Sequence, residues 1–75
     1  MLFYFKLTDG RIVEEVEGLE LSDLPAAREE AMGLARDLAR GQILGRNWSK
    51  WTVIVTDGTG HEVLAVSISR DPAGN

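Results

Sequence analysis

Leu7-Thr8-Asp9-Gly10 and Val55-Thr56-Asp57-Gly58 are near copies of one another, and each stands between two runs of alternating apolar residues. An Asp-Gly pair in that setting predicts a β-hairpin. The reversal needs positive φ, which Gly adopts freely and Asp tolerates better than most side chains. The two hairpins flank one stretch with helical spacing. The chain therefore reads β-β-α-β-β, and the expected fold is α+β in two layers, with one helix packed on a four-stranded antiparallel sheet.

Outward from the first turn, Phe3, Phe5 and Leu7 share one face of strand one, and Leu2, Tyr4, Lys6 and Thr8 the other. A two-residue turn at Asp9-Gly10 pairs Leu7 with Ile12 and Phe3 with Val16. It also sets Phe5 against Glu14, an awkward partner on a core face. A bulge or an early end is therefore expected in strand two, with Gly18 breaking the extended pattern. Leu19-Glu20-Leu21 leads to Ser22 and Asp23, either of which suits a helix N-cap, and the first turn accepts Pro25. Leu24, Ala27, Ala31, Leu34, Ala35 and Leu38 follow helical spacing and form the predicted core stripe. Arg28, Glu29, Glu30, Gly33, Asp37 and Arg40 lie opposite. Gly41 is the natural stop.

Gln42 to Lys50 carries no clear pattern. Strand three then places Trp51, Val53 and Val55 on one face, with Thr52 and Ile54 on the other. Past the loop Asp57-Gly58-Thr59-Gly60, Leu64, Val66 and Ile68 alternate with Val63, Ala65 and Ser67. Residues 1–70 are expected to form one domain and residues 71–75 a disordered polar tail. The pattern leaves open whether strands one and four or strands two and three occupy the sheet centre.

A 75-residue chain buries only about 60% of its unfolded surface, so small domains of this kind draw extra stability from disulfides, metals or a partner subunit. The sequence has no cysteine and one histidine, His61. Self-association is therefore the expected supplement. The face away from the helix should carry Leu2, Tyr4, Val13, Ile54, Val63 and Ala65, greasier than a solvated face, and these six are the expected dimer surface. The opening Met1–Phe5 run is too short for a signal-peptide core, and no stretch reaches the roughly 18 apolar residues of a membrane span. The expected location is cytoplasmic, with no membrane partner.

Several motifs then resemble a known pattern. Tyr4-Phe5-x-Leu7-x-Asp9-Gly10, Glu17-Gly18-x-Glu20-Leu21-x-Asp23-Leu24, Ala26-Ala27-Arg28-x-Glu30-Ala31 and Val55-Thr56-Asp57 occur in that order. Over roughly residues 3–69 the chain resembles a family of very short proteins from rhizobia and related alphaproteobacteria, catalogued only as a domain of unknown function. It departs from that family at Lys6, where a His is common. It also departs at Val66-Ser67-Ile68-Ser69, where a Leu-Pro-Phe-Ser-like strand is usual. The resemblance implies a stand-alone intracellular domain and carries over no functional residue.

Chemistry is sparsely represented. His61 is the only imidazole and follows a turn, so no catalytic residues are expected and the protein is read as a non-enzyme. Asp57 to Glu62 lacks the acidic spacing of a calcium loop, and no metal or cofactor is expected. A net charge of −4 weighs against a general polyanion binder. Charge is nonetheless segregated: Asp9, Glu14, Glu15, Glu17, Glu20, Asp23, Glu29 and Glu30 face only Arg11 and Arg28, while Arg36, Arg40, Arg46 and Lys50 surround Asp37. The leading expectation is a small interaction or regulatory domain that acts by protein contact as a homodimer. The alternative is a nucleic-acid accessory protein using Arg40, Arg46, Trp48 and Lys50 beside Trp51.

Overall fold

The structure, a computed structural model, describes residues 1–41 and 50–68. Strands β1 (Leu2–Thr8) and β2 (Val13–Glu20) precede helix α1 (Leu24–Gly41), and β3 (Thr52–Asp57) and β4 (Glu62–Ser67) follow it. The four strands form one antiparallel sheet in the order β2-β1-β3-β4. The ββαββ order and the two-layer α+β class are as the sequence predicts. The sheet centre is neither of the two expected pairs: β1 and β3 occupy it. Both central strands carry the buried alternation, Phe3, Phe5 and Leu7 on β1 and Val53 and Val55 on β3. The strands with the fully buried side chains thus take the positions with neighbours on both sides.

The first turn differs from the expected two-residue form. Thr8 pairs with Val13, so the loop is Asp9-Gly10-Arg11-Ile12, with Gly10 at φ 95°. Leu7 consequently faces Glu14 and Phe3 faces Leu19, rather than Ile12 and Val16. The anticipated bulge is present: Lys6 pairs with Glu15 and Phe5 with Glu17, leaving Val16 as the extra residue. Two glutamates therefore stand across from core residues. They are tolerated because α1 packs chiefly over β3 and β4, while β2 lies at the sheet edge with Glu17 exposed.

Gly18 does not end β2 either. An ideal Cβ at Gly18 would stand 3.0 Å from Cε1 of Tyr4, so the phenol ring occupies the space a side chain would fill. Strand pairing continues past it to Leu2 opposite Glu20. A cross-strand aromatic laid over a glycine restores the contact area that the missing side chain forfeits.

Asp23, not Ser22, caps the helix: Asp23 Oδ1 accepts from the Ala26 amide at 3.0 Å, and its carbonyl accepts from the Ala27 amide at 3.2 Å. One otherwise orphaned amide of the first turn is thereby satisfied. Ala27, Ala31, Ala35 and Leu38 are buried against Phe3, Phe5, Leu7, Trp51, Val53, Val55 and Ile68. Small residues on the helix let it sit close to a sheet whose large side chains fill the layer between. Leu34 is partly buried, whereas Leu24 is 41% exposed and leaves the predicted stripe. Gly33 points into open space, with no atom within 4 Å of a Cβ built there. Beyond β4, Ile68 is buried and its amide donates to the Trp51 carbonyl at 3.0 Å, closing the sheet end. Residues 42–49 and the expected tail 71–75 lie outside the described residues.

Candidate functional site

The face of the sheet away from α1 is assembled from cross-strand rows. Val13, Thr8, Thr52 and Ser67 form one row, Glu15, Lys6, Ile54 and Ala65 the next, and Gly18, Tyr4, Thr56 and Glu62 the third. Leu2 pairs with Glu20 beyond them. Five of the six expected interface residues (Leu2, Tyr4, Val13, Ile54 and Ala65) are thus on this face, interleaved with hydroxyl and charged side chains. Val63 is displaced. It is the extra residue of a bulge between Leu64 opposite Val55 and Glu62 opposite Thr56, and it packs against the core cluster. The alternation read from the sequence runs straight through that bulge, which is why Val63 was expected elsewhere.

At one end of this face lies a cleft of about 300 Å³ lined by Tyr4, Lys6, Glu15 and Thr56 to Gly60. Its wall is the second turn. Asp57 Oδ1 accepts the amides of Thr59 at 2.9 Å and His61 at 3.1 Å, and the Thr59 hydroxyl at 2.6 Å. Thr59 Oγ1 lies 2.9 Å from His61 Nδ1. A hydroxyl has one proton, and here it goes to the carboxylate, so the contact to His61 requires the Nδ1 proton to be donated to Thr59. The polarity runs from imidazole to hydroxyl to carboxylate, the reverse of a base drawing a proton from a nucleophile. The hydrogen bond from the Thr59 side chain, with the two amides, holds the Asp57 carboxyl below its usual range. Asp9 is lowered in the same way by the amides of Arg11 and Ile12, at 2.9 and 3.0 Å from its Oδ1. Both carboxylates are engaged in shaping their own turns. Thr56 is the exception in the cleft lining: it is only 6% exposed, and its buried Oγ1 has no hydrogen-bond partner.

The two sheet edges differ. β2 carries Glu14, Glu15, Glu17 and Glu20, with its bulge at Val16. Glu20 also binds the N-terminal ammonium at 2.8 Å. β4 has one charge, Glu62, at its first residue, then Val-Leu-Ala-Val-Ser. Beside β4, an apolar groove of about 260 Å³ runs along α1, lined by Leu24, Pro25, Arg28, Glu29, Met32 and Leu64. Leu24 and Met32 are 41% and 40% exposed there. Leu24 has the spacing of a core residue, and Met32 lies outside the predicted stripe. The available signal was the spacing: positions 24, 28 and 32 form an i, i+4, i+8 row offset from the alanine stripe.

The alternative basic site is only partly in view. Arg40 and Lys50 are exposed, and Arg40 contacts Asp37 at 3.5 Å. Arg46 and Trp48 lie outside the described residues. Trp51 is buried in the core, so its indole face is not presented for base stacking. Among the described residues, no group of three or more His, Asp or Glu side chains could hold a metal ion, and no helix is long and apolar enough to cross a membrane.

The fold and these surfaces define a small two-layer α+β domain with an apolar groove beside its β4 edge. Within that class, the chain belongs to the family described as a domain of unknown function, DUF6894, whose match extends over residues 2–69. No curated protein matches the chain, and no solved structure matches it.

Proposed function

We propose that this protein is a small interaction domain that acts by protein contact, as a homodimer, rather than by catalysis. One observation carries the reading. Leu24 and Met32 expose apolar surface beside a sheet edge that, among the described residues, has no strand on its far side. An edge with free backbone groups and an adjoining apolar groove is a template for another chain. The size of the protein supports the same reading, since a 75-residue chain gains from burying such surface against a partner. An intracellular site of action belongs to the proposal, supported by a sequence without cysteine that has no use for an oxidising compartment.

Light scattering across a dilution series tests the reading. A mass near twice the 8.2 kDa of the chain at micromolar concentration, falling on dilution, is the expected result. A constant monomer mass from micromolar to millimolar protein overturns the homodimer.

A further inference from the structure

We infer that two copies pair antiparallel through β4, joining the sheets into one of eight strands, with the Leu24–Met32 rows of the two helices closing over the seam. This rests on the homodimer reading above and names its surface. The choice of edge follows from charge and regularity. Pairing β2 with β2 would bring the four glutamates of each copy together beside a bulge, the arrangement by which natural sheets discourage edge contact. Pairing β2 with β4 is head-to-tail and does not close at two copies: it gives a larger ring if the rotation closes and an open array if it does not. Pairing β4 with β4 closes after two copies.

The register is also constrained. In an antiparallel pair, residues directly opposite share a face, so core-facing Leu64 and Val66 must meet core-facing residues of the partner. A two-fold axis at Ala65 does this, setting Leu64 opposite the partner's Val66 and Ala65 opposite the partner's Ala65. An axis at Leu64 instead sets Val66 opposite the partner's Glu62 and runs the pairing through the bulge at Val63. With the axis perpendicular to the sheet, both helices stay on the same side and their groove faces meet across the seam. Those faces carry Leu24 and Met32 with Arg28 and Glu29 side by side. Apolar residues with adjacent opposite charges make a patch that suits its own copy, as an isologous contact requires.

The chain has no cysteine, so one introduced at the axis reports directly on the register. Ala65→Cys should form an interchain disulfide under mild oxidation, because opposite Cα atoms in an antiparallel pair lie about 4.5–5.5 Å apart, within disulfide reach. Leu24→Lys with Met32→Lys should raise the dimer dissociation constant roughly a hundredfold, the effect of losing anchor side chains from an interface. The circular dichroism should not change, since both residues are half exposed. Tyr4→Lys with Ile54→Lys, on the opposite face of the sheet, should leave the dimer intact. A dimer that fails to cross-link at Ala65→Cys and dissociates with Tyr4→Lys and Ile54→Lys overturns the β4 seam while keeping the homodimer. A wild-type chain that is monomeric throughout overturns both.

Discussion

The two hairpins begin from nearly the same four residues and become different things. Each Asp accepts backbone amides, Asp9 from Arg11 and Ile12, and Asp57 from Thr59 and His61. Each loop has one glycine at positive φ, but at different points: Gly10 directly after Asp9, and Gly60 three residues after Asp57. Each hairpin also carries a bulge on its outer strand, at Val16 and at Val63. The outer strands then diverge. β2 has mostly exposed side chains and four glutamates, whereas Val63, Leu64 and Val66 of β4 are partly buried against the core. The helix accounts for the difference, because it lies over β3 and β4. A strand under the helix has apolar residues recruited to it, and a strand beyond it is free to be acidic. Turn chemistry therefore does not determine what an edge is for; the cover on the sheet does.

The sharpest test of that contrast begins at the shared centre. Phe5→Ala removes a fully buried ring and should cost about 3–5 kcal/mol, much of the roughly 4–11 kcal/mol expected for a chain of this length. Urea denaturation should find the variant largely unfolded or marginally stable. The same change of residue on the two outer strands should then separate them. Val66→Asp places a charge against the core and should cost about 3 kcal/mol, whereas Val16→Asp on the exposed bulge should stay within about 0.5 kcal/mol of the parent. Equal costs would mean that β2 is as well covered as β4.

Thr56 sharpens the comparison from the second hairpin. Its hydroxyl is buried without a partner, so Thr56→Val, which keeps the shape, should stabilise the protein by about 1 kcal/mol in thermal or urea melts. A loss of stability would show that the hydroxyl is hydrogen-bonded in solution. The smallest effect concerns acid. Asp9 and Asp57 have folded pKa values below their unfolded ones. Their contribution is therefore complete above about pH 4 and is lost as pH falls through the lower folded values. Asp57→Asn should flatten the acid limb of the melting-temperature profile more than Asp9→Asn, since Asp57 Oδ1 accepts three hydrogen bonds and Asp9 Oδ1 two. Equal flattening would show that the Thr59 hydroxyl adds nothing.

Much of the proposed interaction surface is not legible in the residues. The six expected outer-face positions assumed unbroken alternation, and the bulge at Val63 removes one of them to the core side. Met32 reads as an ordinary helix position until β4 is known to lie beside it. Leu24 has core spacing, yet it opens the helix beyond the cover of the sheet. Of the two tryptophans near the basic alternative, Trp51 is adjacent to cations in sequence and buried in space, and Trp48 lies outside the described residues.

The residues by themselves determined the number, type and order of the elements, the helix limits near Asp23 and Gly41, and the buried faces of β1 and β3. Those follow from local rules: capping chemistry, glycine and proline placement, and periods of 3.6 and 2 that a few neighbouring side chains suffice to express. Tertiary structure alone decided that β1 and β3 are central, how β2 is registered against β1, and which edge carries the apolar groove. Each of these depends on pairing between distant segments and on where the helix comes to rest. A bulge of one residue changes the face of every side chain beyond it, and no local pattern records which strand will have a neighbour.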